Sequence, residues 1–481
     1  MGSVRSRALA LAVLCAGPLM IILDGSIVTV ALPSMQRDLG LGDAGLTWVV
    51  NGYVIAFGGL LLLAGRLGDL AGRRAVFVTG IALFTLASAV CGAATGPAML
   101  IAARFAQGVG GALTSAVALG MITTLFSAPA ERNRALSAFA FTGAVGASLG
   151  QVLGGVLTDA LNWHWIFLIN LPLGLVTALA ALRYLPSDRG LGFSAGVDVL
   201  GGLLVTAGSM LVVYTIVRTE SSGWGLPTLG LGLGALALLG GFVARQATAS
   251  VPLMPLRVLR DRNVWGANLV QFVILAALFS FQVMVALYMQ NVLRYNASET
   301  GLAMLPAAGA IGVVSLFAAA RLIDRFGARA VLVTGLVLLL AARVLLTRLP
   351  VDGHFAQDLL PLMLLTGGGG LVLPALTGLG MSGAKPEDAG VVSGVFNTTQ
   401  QIGAALGVAA LSAVAAANTD GTSRAALTHG YHVAFWVGAG LLTAGIVLSL
   451  AVLRRVSPTP ALSASPESAS SPADAPAIAG L

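Results

Sequence analysis

The sequence predicts an all-helical integral membrane protein that crosses the lipid bilayer fourteen times. Of its 481 residues, 57% are hydrophobic and only 9% are charged, and the mean hydropathy is +0.92. A soluble protein must face water and cannot expose so much apolar surface, whereas a membrane protein faces lipid. An internal repeat further predicts that the helices form two similar bundles.

Long apolar runs define the predicted helices. A helix that spans the hydrocarbon core needs about 20 mostly apolar residues, and fourteen runs reach that length. They are too long and too continuous to be the alternating strands of a membrane β-barrel. The runs lie at residues 8–31, 46–68, 75–95, 98–126, 134–158, 164–186, 197–218, 227–247, 264–293, 301–321, 330–349, 359–382, 389–416 and 430–454.

The basic residues predict the orientation of the chain. The formal net charge of +7 would suggest a nucleic-acid partner in a soluble protein, but here the arginines lie mainly in short loops. With the amino terminus inside, nineteen basic residues fall on the inner side and six, Arg343 among them, on the outer side. The positive-inside rule therefore predicts that both termini are cytoplasmic. Because Lys385 is the only lysine, we expect a bacterial cell membrane.

Two short segments occur twice at nearly the same spacing. GRLGDLAGRR (65–74) aligns with ARLIDRFGAR (320–329) at an offset of 255, and GASLG (146–150) aligns with GAALG (403–407) at an offset of 257. Both copies of each segment have the same orientation across the bilayer, which indicates a parallel repeat of six helices.

Six helices in each repeat leave two unmatched, which we interpret as an inserted pair outside the transport path. The carboxyl-terminal tail is rich in Ser, Pro and Ala, and we expect it to be disordered and cytoplasmic. The predicted organisation is an N-terminal six-helix bundle at 1–186, a linker with two extra transmembrane helices at 187–262, a C-terminal six-helix bundle at 263–456 and the tail at 457–481.

The loop between predicted helices two and three carries a specific motif. Its glycines permit a tight turn, and its acid can cap a helix or pair with an arginine. The motif resembles the loop signature of the major facilitator superfamily, although Leu70 replaces the usual basic residue. The positive-inside rule alone would explain one charged loop, but not the same spacing twice. The motif residues are Gly65, Asp69, Gly72, Arg73 and Arg74, with Asp324 and Arg325 in the second copy.

Further segments resemble the fourteen-helix drug:proton antiporter branch of that superfamily. They include ILDGSIVTVALP (22–33), RFAQGVGGA (104–112) and GASLGQVLGGVL (146–157). In the third segment a glutamine replaces the proline usual after the glycine, which puts a proline-dependent bend in doubt. The four-residue glycine spacing still permits close helix contact, and packing alone is an equal alternative for these glycines. The residues of this antiporter helix motif are Gly146, Gly150, Gln151, Gly154 and Gly155.

Asp24 lies in the middle of the first apolar run. A charged side chain at the centre of a membrane helix costs roughly 2.5–3.5 kcal/mol on the insertion scale, and such residues usually mark an ion or proton path. Arg104, from the fourth helix, is the expected counter-ion. We interpret the pair as the proton-coupling site, with a static tie between two helices as the alternative.

The resemblance implies a major facilitator fold whose central cavity is lined by helices one, four, nine and twelve. It implies proton-driven export of amphipathic drugs or antibiotics, which confers resistance. The alternatives are a proton-coupled transporter of a physiological metabolite or peptide, and a non-transporting membrane sensor or assembly subunit. Some relatives carry an acid in the tenth helix that suits dications. Because 301–320 has none, we expect neutral or monocationic substrates.

No pattern in the sequence suggests an enzyme. Cys15 and Cys91 lie inside apolar runs and cannot form a disulfide framework or a zinc site. The glycine-rich stretch at 366–374 lacks the Lys-Ser/Thr ending of a phosphate-binding loop. We therefore expect no catalytic residue, cofactor, metal or nucleic-acid partner. The expected partners are a small drug, protons and the lipid bilayer, and we expect the chain to function as a monomer.

Overall fold

The structure is a computed structural model, and all regular secondary structure in its described part is helical. The predicted disordered tail at 457–481 lies outside the described residues. The structure describes residues 4–41, 43–188, 190–192, 198–222, 225–250, 252, 254, 256–382, 388–421 and 423–454.

The first six membrane crossings form a bundle of long helices. The sixth crossing is interrupted at Ile169, so that a short helix precedes the longer one. The helices are α1 (Val4–Leu39), α2 (Asp43–Ala71), α3 (Arg73–Gly92), α4 (Pro97–Leu125), α5 (Pro129–Ala160), α6 (Trp165–Leu168) and α7 (Asn170–Tyr184).

Two helices, α8 (Val199–Ser222) and α9 (Leu226–Thr248), separate this bundle from a second one. Two crossings of the second bundle contain wider or tighter turns: a π segment at Val314–Ala319, and a π segment and a 3₁₀ turn around α14. The helices of the second bundle are α10 (Arg262–Asn291), α11 (Ala297–Val313), α12 (Ala320–Phe326), α13 (Ala328–Leu346), α14 (Leu360–Leu365), α15 (Gly369–Met381), α16 (Ala389–Ala417) and α17 (Arg424–Val452).

The predicted membrane-spanning architecture is confirmed. Thirteen helical segments in the described part are long and apolar enough to cross a membrane. The fourteenth predicted span, 134–158, lies within the 32-residue helix α5. Outward-facing leucines on α7 and α9, such as Leu179 and Leu233, are largely exposed, as expected for side chains that contact lipid.

The two bundles share one packing scheme. In the first bundle α1 packs on α5 and α7, and α3 packs on α4 and α7. In the second, α10 packs on α16 and α17, and α13 packs on α15 and α17. The bundles meet where α2 and α4 contact α16 and where α5 contacts α11 and α15. This correspondence agrees with the internal repeat, while the boundaries proposed for the bundles stay a prediction.

The inserted pair packs against the outside of the seam between the bundles. Helix α8 contacts α2 of the first bundle and α16 of the second, whereas α9 packs mainly on α8. Val205 of α8 and Phe242 of α9 form a small apolar cluster with Val391 of α16. The pair therefore contacts both bundles at the α2–α16 seam.

Asp198 holds the ends of the inserted pair together. Its carboxylate accepts hydrogen bonds from the backbone N–H of Gly201 at 3.0 Å, from Arg245 Nε at 3.0 Å and from Gln246 Nε2 at 2.8 Å. Burial of this carboxyl disfavours its ionised form, but the three donors outweigh burial, so that the pKa of Asp198 lies below its usual value.

Replacement of Asp198 should weaken the inserted pair in a pH-dependent way. Because the folded-state pKa is depressed, the ionised carboxylate stabilises the fold above the unfolded pKa of about 3.9, and this contribution is lost as the pH falls through the folded value. We expect Asp198→Asn to lower the melting temperature of the purified protein at pH 7. The deficit should shrink below about pH 4. A deficit that stays constant over this range would contradict the assignment.

Candidate functional site

Asp24 and Arg104 form a buried ion pair inside the first bundle. The side chain of Asp24 in α1 is fully buried, and that of Arg104 in α4 is 2% exposed. Arg104 Nη1 donates to Asp24 Oδ2 at 2.6 Å. The structure thus brings the two predicted residues together, in the interior of the bundle and closed off from solvent in this conformer.

The second oxygen of the carboxylate is held by two amide groups. Asp24 Oδ1 accepts from Asn170 Nδ2 at 2.8 Å and from Gln107 Nε2 at 3.2 Å. Gln107 Nε2 also donates to Ser88 Oγ at 2.7 Å, and its Oε1 accepts from Arg104 Nη1 at 2.8 Å. Helices α1, α3, α4 and α7 therefore meet at one polar cluster.

Three members of this cluster were not identified from the sequence. Gln107 lies three residues after Arg104, so the two share a helix face, and this spacing could have revealed it. Asn170 is the polar residue within the apolar run IFLINLPLG. Ser88 gives no signal of its own, because serines are common in transmembrane helices and its partners lie on other helices.

The guanidinium of Arg104 is enclosed by further groups. Its Nε donates to the backbone carbonyl of Val49 at 3.1 Å. The centre of the Tyr53 ring lies 4.4 Å from the guanidinium carbon, and the centre of the Phe167 ring lies 5.8 Å from it. Both distances fall within the range of cation–π attraction.

The cluster can hold two charge states. With Asp24 ionised, the ion pair is neutral and satisfied by hydrogen bonds. With Asp24 protonated, Arg104 keeps only carbonyl, amide and ring partners. Loss of one partner of a buried pair typically costs about 3–5 kcal/mol. The negative charge of Asp24 is therefore what compensates Arg104 in the interior of the bundle.

The predicted glycines of α5 bring it close to the Asp24 region of α1. A Cβ atom at Gly150 would lie 2.7 Å from the carbonyl oxygen of Leu23, and one at Gly154 would lie 2.9 Å from that of Ile27. A Cβ at Gly146 would lie 3.2 Å from Leu19. Close packing thus explains these three glycines.

The motif has two further residues, Gln151 and Gly155. Gly155 is half-buried, and Gln151 belongs to α5 with its side chain outside the described part of the chain.

Asp69 of the loop motif caps a helix of the opposite bundle. Its carboxylate accepts from Arg73 Nη2 at 2.9 Å and from the backbone N–H groups of Gly390 and Val391, both at 3.2 Å. Those N–H groups belong to the first turn of α16, where an N-cap acceptor normally lies. Asp388, which precedes α16, makes no such side-chain bond. The first bundle therefore supplies the cap for a helix of the second.

Two positions of the loop motif require glycine for different structural reasons. A Cβ at Gly65 would lie 2.4 Å from the carbonyl oxygen of Gly390, so the close approach of α2 and α16 requires glycine there. Gly72 has φ +96°, a conformation that side chains rarely adopt. Arg73 and Arg74 begin α3, and their backbone N–H groups donate to Asp188.

The acid in the second copy of the motif makes a contact from the second bundle to the first. Asp324 Oδ1 accepts from Asn133 Nδ2 of α5 at 2.7 Å. Each acid thus contacts the beginning of the fifth helix of the opposite bundle. Arg325 is exposed and stacks on its neighbour Phe326, at 5.3 Å from the ring centre, so the structure does not join it to Asp324.

Loss of the Asp69 charge should separate the two bundles at the end where the motif loops lie. We expect Asp69→Asn to remove about 1.5–3 kcal/mol of charge-assisted hydrogen bonding and to shift the population toward separated loops. Spin labels on the exposed Ser127 and Arg325 positions would measure the distance by electron paramagnetic resonance. Asp188→Asn is the matched control, because within the described part of the chain Asp188 accepts hydrogen bonds from Arg73 and Arg74 of the first bundle and from no residue of the second. Equal distance distributions in both variants would contradict the role of Asp69.

Comparison with known proteins identifies a family and close relatives. The family described as Major Facilitator Superfamily matches residues 14–408. A puromycin resistance protein of Streptomyces alboniger is 40% identical over 452 residues, with 90% of this chain and 89% of that protein covered. A cephamycin export protein of Amycolatopsis lactamdurans is 38% identical over 461 residues, with 95% and 94% covered.

Two solved structures share the fold. The human organic anion transporter MFSD10 gives a TM-score of 0.67 at 16% identity, and the transporter FucP in its outward conformation gives 0.63 at 14% identity. Each comparison covers 92% of this chain and 99% of the other. At these identities the likeness concerns the fold alone.

Proposed function

The chain belongs to the Major Facilitator Superfamily, and we propose that it exports amphipathic antibiotics or other drugs across the cell membrane in exchange for protons. The relatives support export, since they are named for puromycin resistance and cephamycin export. The buried Asp24–Arg104 pair supports proton coupling, because it is a titratable group with a fixed counter-ion inside a transporter bundle.

In the proposed cycle, Asp24 alternates between two states. Ionised, it holds α1, α3, α4 and α7 together through Arg104, Gln107 and Asn170. Protonated, it releases Arg104, and the bundles change their relative arrangement as substrate leaves. The Asp69 and Asp324 contacts break when the cavity opens on their own side of the membrane.

The membrane potential supplies a useful driving force for this exchange. One proton moving through 100 mV gains roughly 2.3 kcal/mol. Since about 1.4 kcal/mol corresponds to a tenfold ratio, exchange of one proton for a neutral compound sustains a gradient of roughly 40-fold. Exchange of one proton for a monocation moves no net charge, so only the pH difference would drive it.

Asp24→Asn should abolish uphill export. The amide keeps the size of the carboxyl and one acceptor oxygen but cannot ionise. We expect purified Asp24→Asn protein in liposomes to show no drug accumulation driven by a proton gradient, while it still equilibrates the drug downhill. Asp38→Asn is the matched control, because Asp38 lies on the same helix and accepts a hydrogen bond from Trp163 at 2.8 Å.

Near-normal uphill transport by Asp24→Asn would assign the coupling proton to another group and leave the ion pair as a tie between helices. Arg104→Ala should also impair transport, because it leaves Asp24 uncompensated.

We also propose that both termini are cytoplasmic, with the motif loops on the same side. A reporter fused after Arg455 should therefore give the cytoplasmic signal, and alkaline phosphatase activity from that fusion would overturn the orientation. Because one chain contains both bundles, we propose that it functions as a monomer.

The substrate is best sought in an efflux-deficient host. Raised resistance to a panel of antibiotics, lincomycin among them, would identify the compounds exported. A physiological metabolite or peptide is the alternative substrate. A non-transporting sensor would raise resistance to none of them.

A further inference from the structure

The second bundle contains a buried cation that lies outside the Asp24 cluster. Arg343 of α13 is 2% exposed, although the loop count assigned it to the outer side. Its Nη2 donates to the carbonyl oxygen of Ala277 and, at 3.1 Å, to Ser280 Oγ, both on α10. Arg343 is therefore held between helices in the interior of the second bundle.

The internal repeat places Arg343 at the position in the second bundle that corresponds to the Asp24 cluster of the first. Ser280 lies 256 residues after Asp24, and Arg343 lies 255 residues after Ser88. The second spacing equals one repeat offset, 255, and the first lies between the two offsets of 255 and 257. The second bundle thus has a hydroxyl where the first has an acid, and a guanidinium where the first has a hydroxyl.

The last helix of each bundle extends this correspondence. His164, Phe167 and Asn170 align with His432, Phe435 and Gly438 at an offset of 268. A Cβ at Gly438 would lie 2.6 Å from Arg343 Nε. The arginine therefore occupies space that an asparagine side chain takes in the first bundle.

Arg343 differs from Arg104 in having no acidic partner among the described residues. Its Nη1 atom is buried and makes no hydrogen bond to any residue that the structure describes. Its remaining neighbours include the rings of Phe281 and Phe435, 5.6 and 5.7 Å from the guanidinium carbon. Two N–H groups of a buried cation thus lack acceptors, an arrangement that is costly unless an anion completes it.

The charges in the interior of the protein do not balance. Among the described residues seven charged side chains are buried, and four of them lie at helix ends near the arginine-rich loops. The remaining three, Asp24, Arg104 and Arg343, sum to +1 with Asp24 ionised and to +2 with Asp24 protonated. The described part of the interior therefore carries a net positive charge in both states of the proposed cycle.

We propose that Arg343 binds an anionic group, such as a carboxylate, on the exported compound. This inference rests on the proposed export function and names its substrate class: neutral and anionic amphipathic compounds are handled in preference to cations. It replaces the sequence-based expectation that monocations are suitable substrates, because the fixed positive charge of Arg343 repels them. The planar guanidinium suits a carboxylate, which accepts two parallel N–H bonds.

In the described conformer Nη1 is closed off, so an anion reaches it only after a local change. Phe281 is half-buried, whereas Phe435 is fully buried. We assign the approach to the side of Phe281, which lies on α10 next to Ser280.

The test uses three compounds of one scaffold that the wild-type protein exports: a carboxylic acid, its methyl ester and a cationic amide. Export is measured in an efflux-deficient host and in liposomes, and binding is measured from the thermal stabilisation of purified protein by each compound. The variants are Arg343→Met, which removes the charge, and Arg343→Lys, which keeps it. Arg348→Met is the matched control, because Arg348 is exposed and lies just after the end of α13, the helix that carries Arg343.

We expect the wild-type protein to favour the acid over the cationic amide by about tenfold or more, the effect of one charged hydrogen bond. Arg343→Met should lose export and binding of the acid by a similar factor, keep those of the ester and gain export of the amide. Arg343→Lys should retain much of the preference for the acid.

Two results would overturn the proposal: a ratio of acid to ester export that Arg343→Met leaves unchanged, or a wild-type preference for the amide. Equal losses would show that Arg343 is only a tie between α13 and α10. Either result leaves proton-driven export of the ester by the wild-type protein intact, so the proposed function is judged separately. Loss of uphill export of all three compounds from wild-type liposomes would instead refute the proposed function.

Discussion

The Asp24–Arg104 ion pair is the interaction on which the organisation of the first bundle depends. A charge in the membrane interior is tolerated when it is paired and hydrogen-bonded. Helix α4 must therefore lie against α1, and α3 and α7 must bring Ser88 and Asn170 to the same point. The glycines of α5 complete the arrangement, since they allow α5 to contact the backbone of α1 beside Asp24.

The contacts between the bundles are of a different kind. Asp69 caps α16 across the seam, and Asp324 contacts the beginning of α5. Backbone N–H groups in the first turn of a helix have no partner within the helix, so they bind either a carboxylate or water. A contact of this type can be made and broken at modest cost, which suits a seam that must open, whereas the buried Asp24 cluster cannot exchange its partners for water in this conformer.

The repeat has preserved the packing of the helices and changed their charges. The same helix pairs contact each other in both bundles, yet Ser280, Arg343 and Gly438 stand where the first bundle has Asp24, Ser88 and Asn170. Packing depends on side-chain volume at many positions, so it survives individual substitutions. Charge depends on a few positions, and the two halves can therefore perform different parts of transport: a proton site in one and a fixed cation in the other.

The sequence by itself determined the number and approximate position of the helices, because the length of an apolar run is a local property that the bilayer thickness fixes. It also determined that Asp24 is exceptional, since an acid in such a run is costly. Only the tertiary structure decided which groups meet. Ser88 and Asn170 join the Asp24 cluster from other helices. The donors to Asp69 from the opposite bundle are backbone N–H groups, which leave no mark in a sequence. Arg343 was assigned to the outer side by its position near a helix end, and its burial follows from the side-chain direction and the packing of α10 and α17, which are non-local.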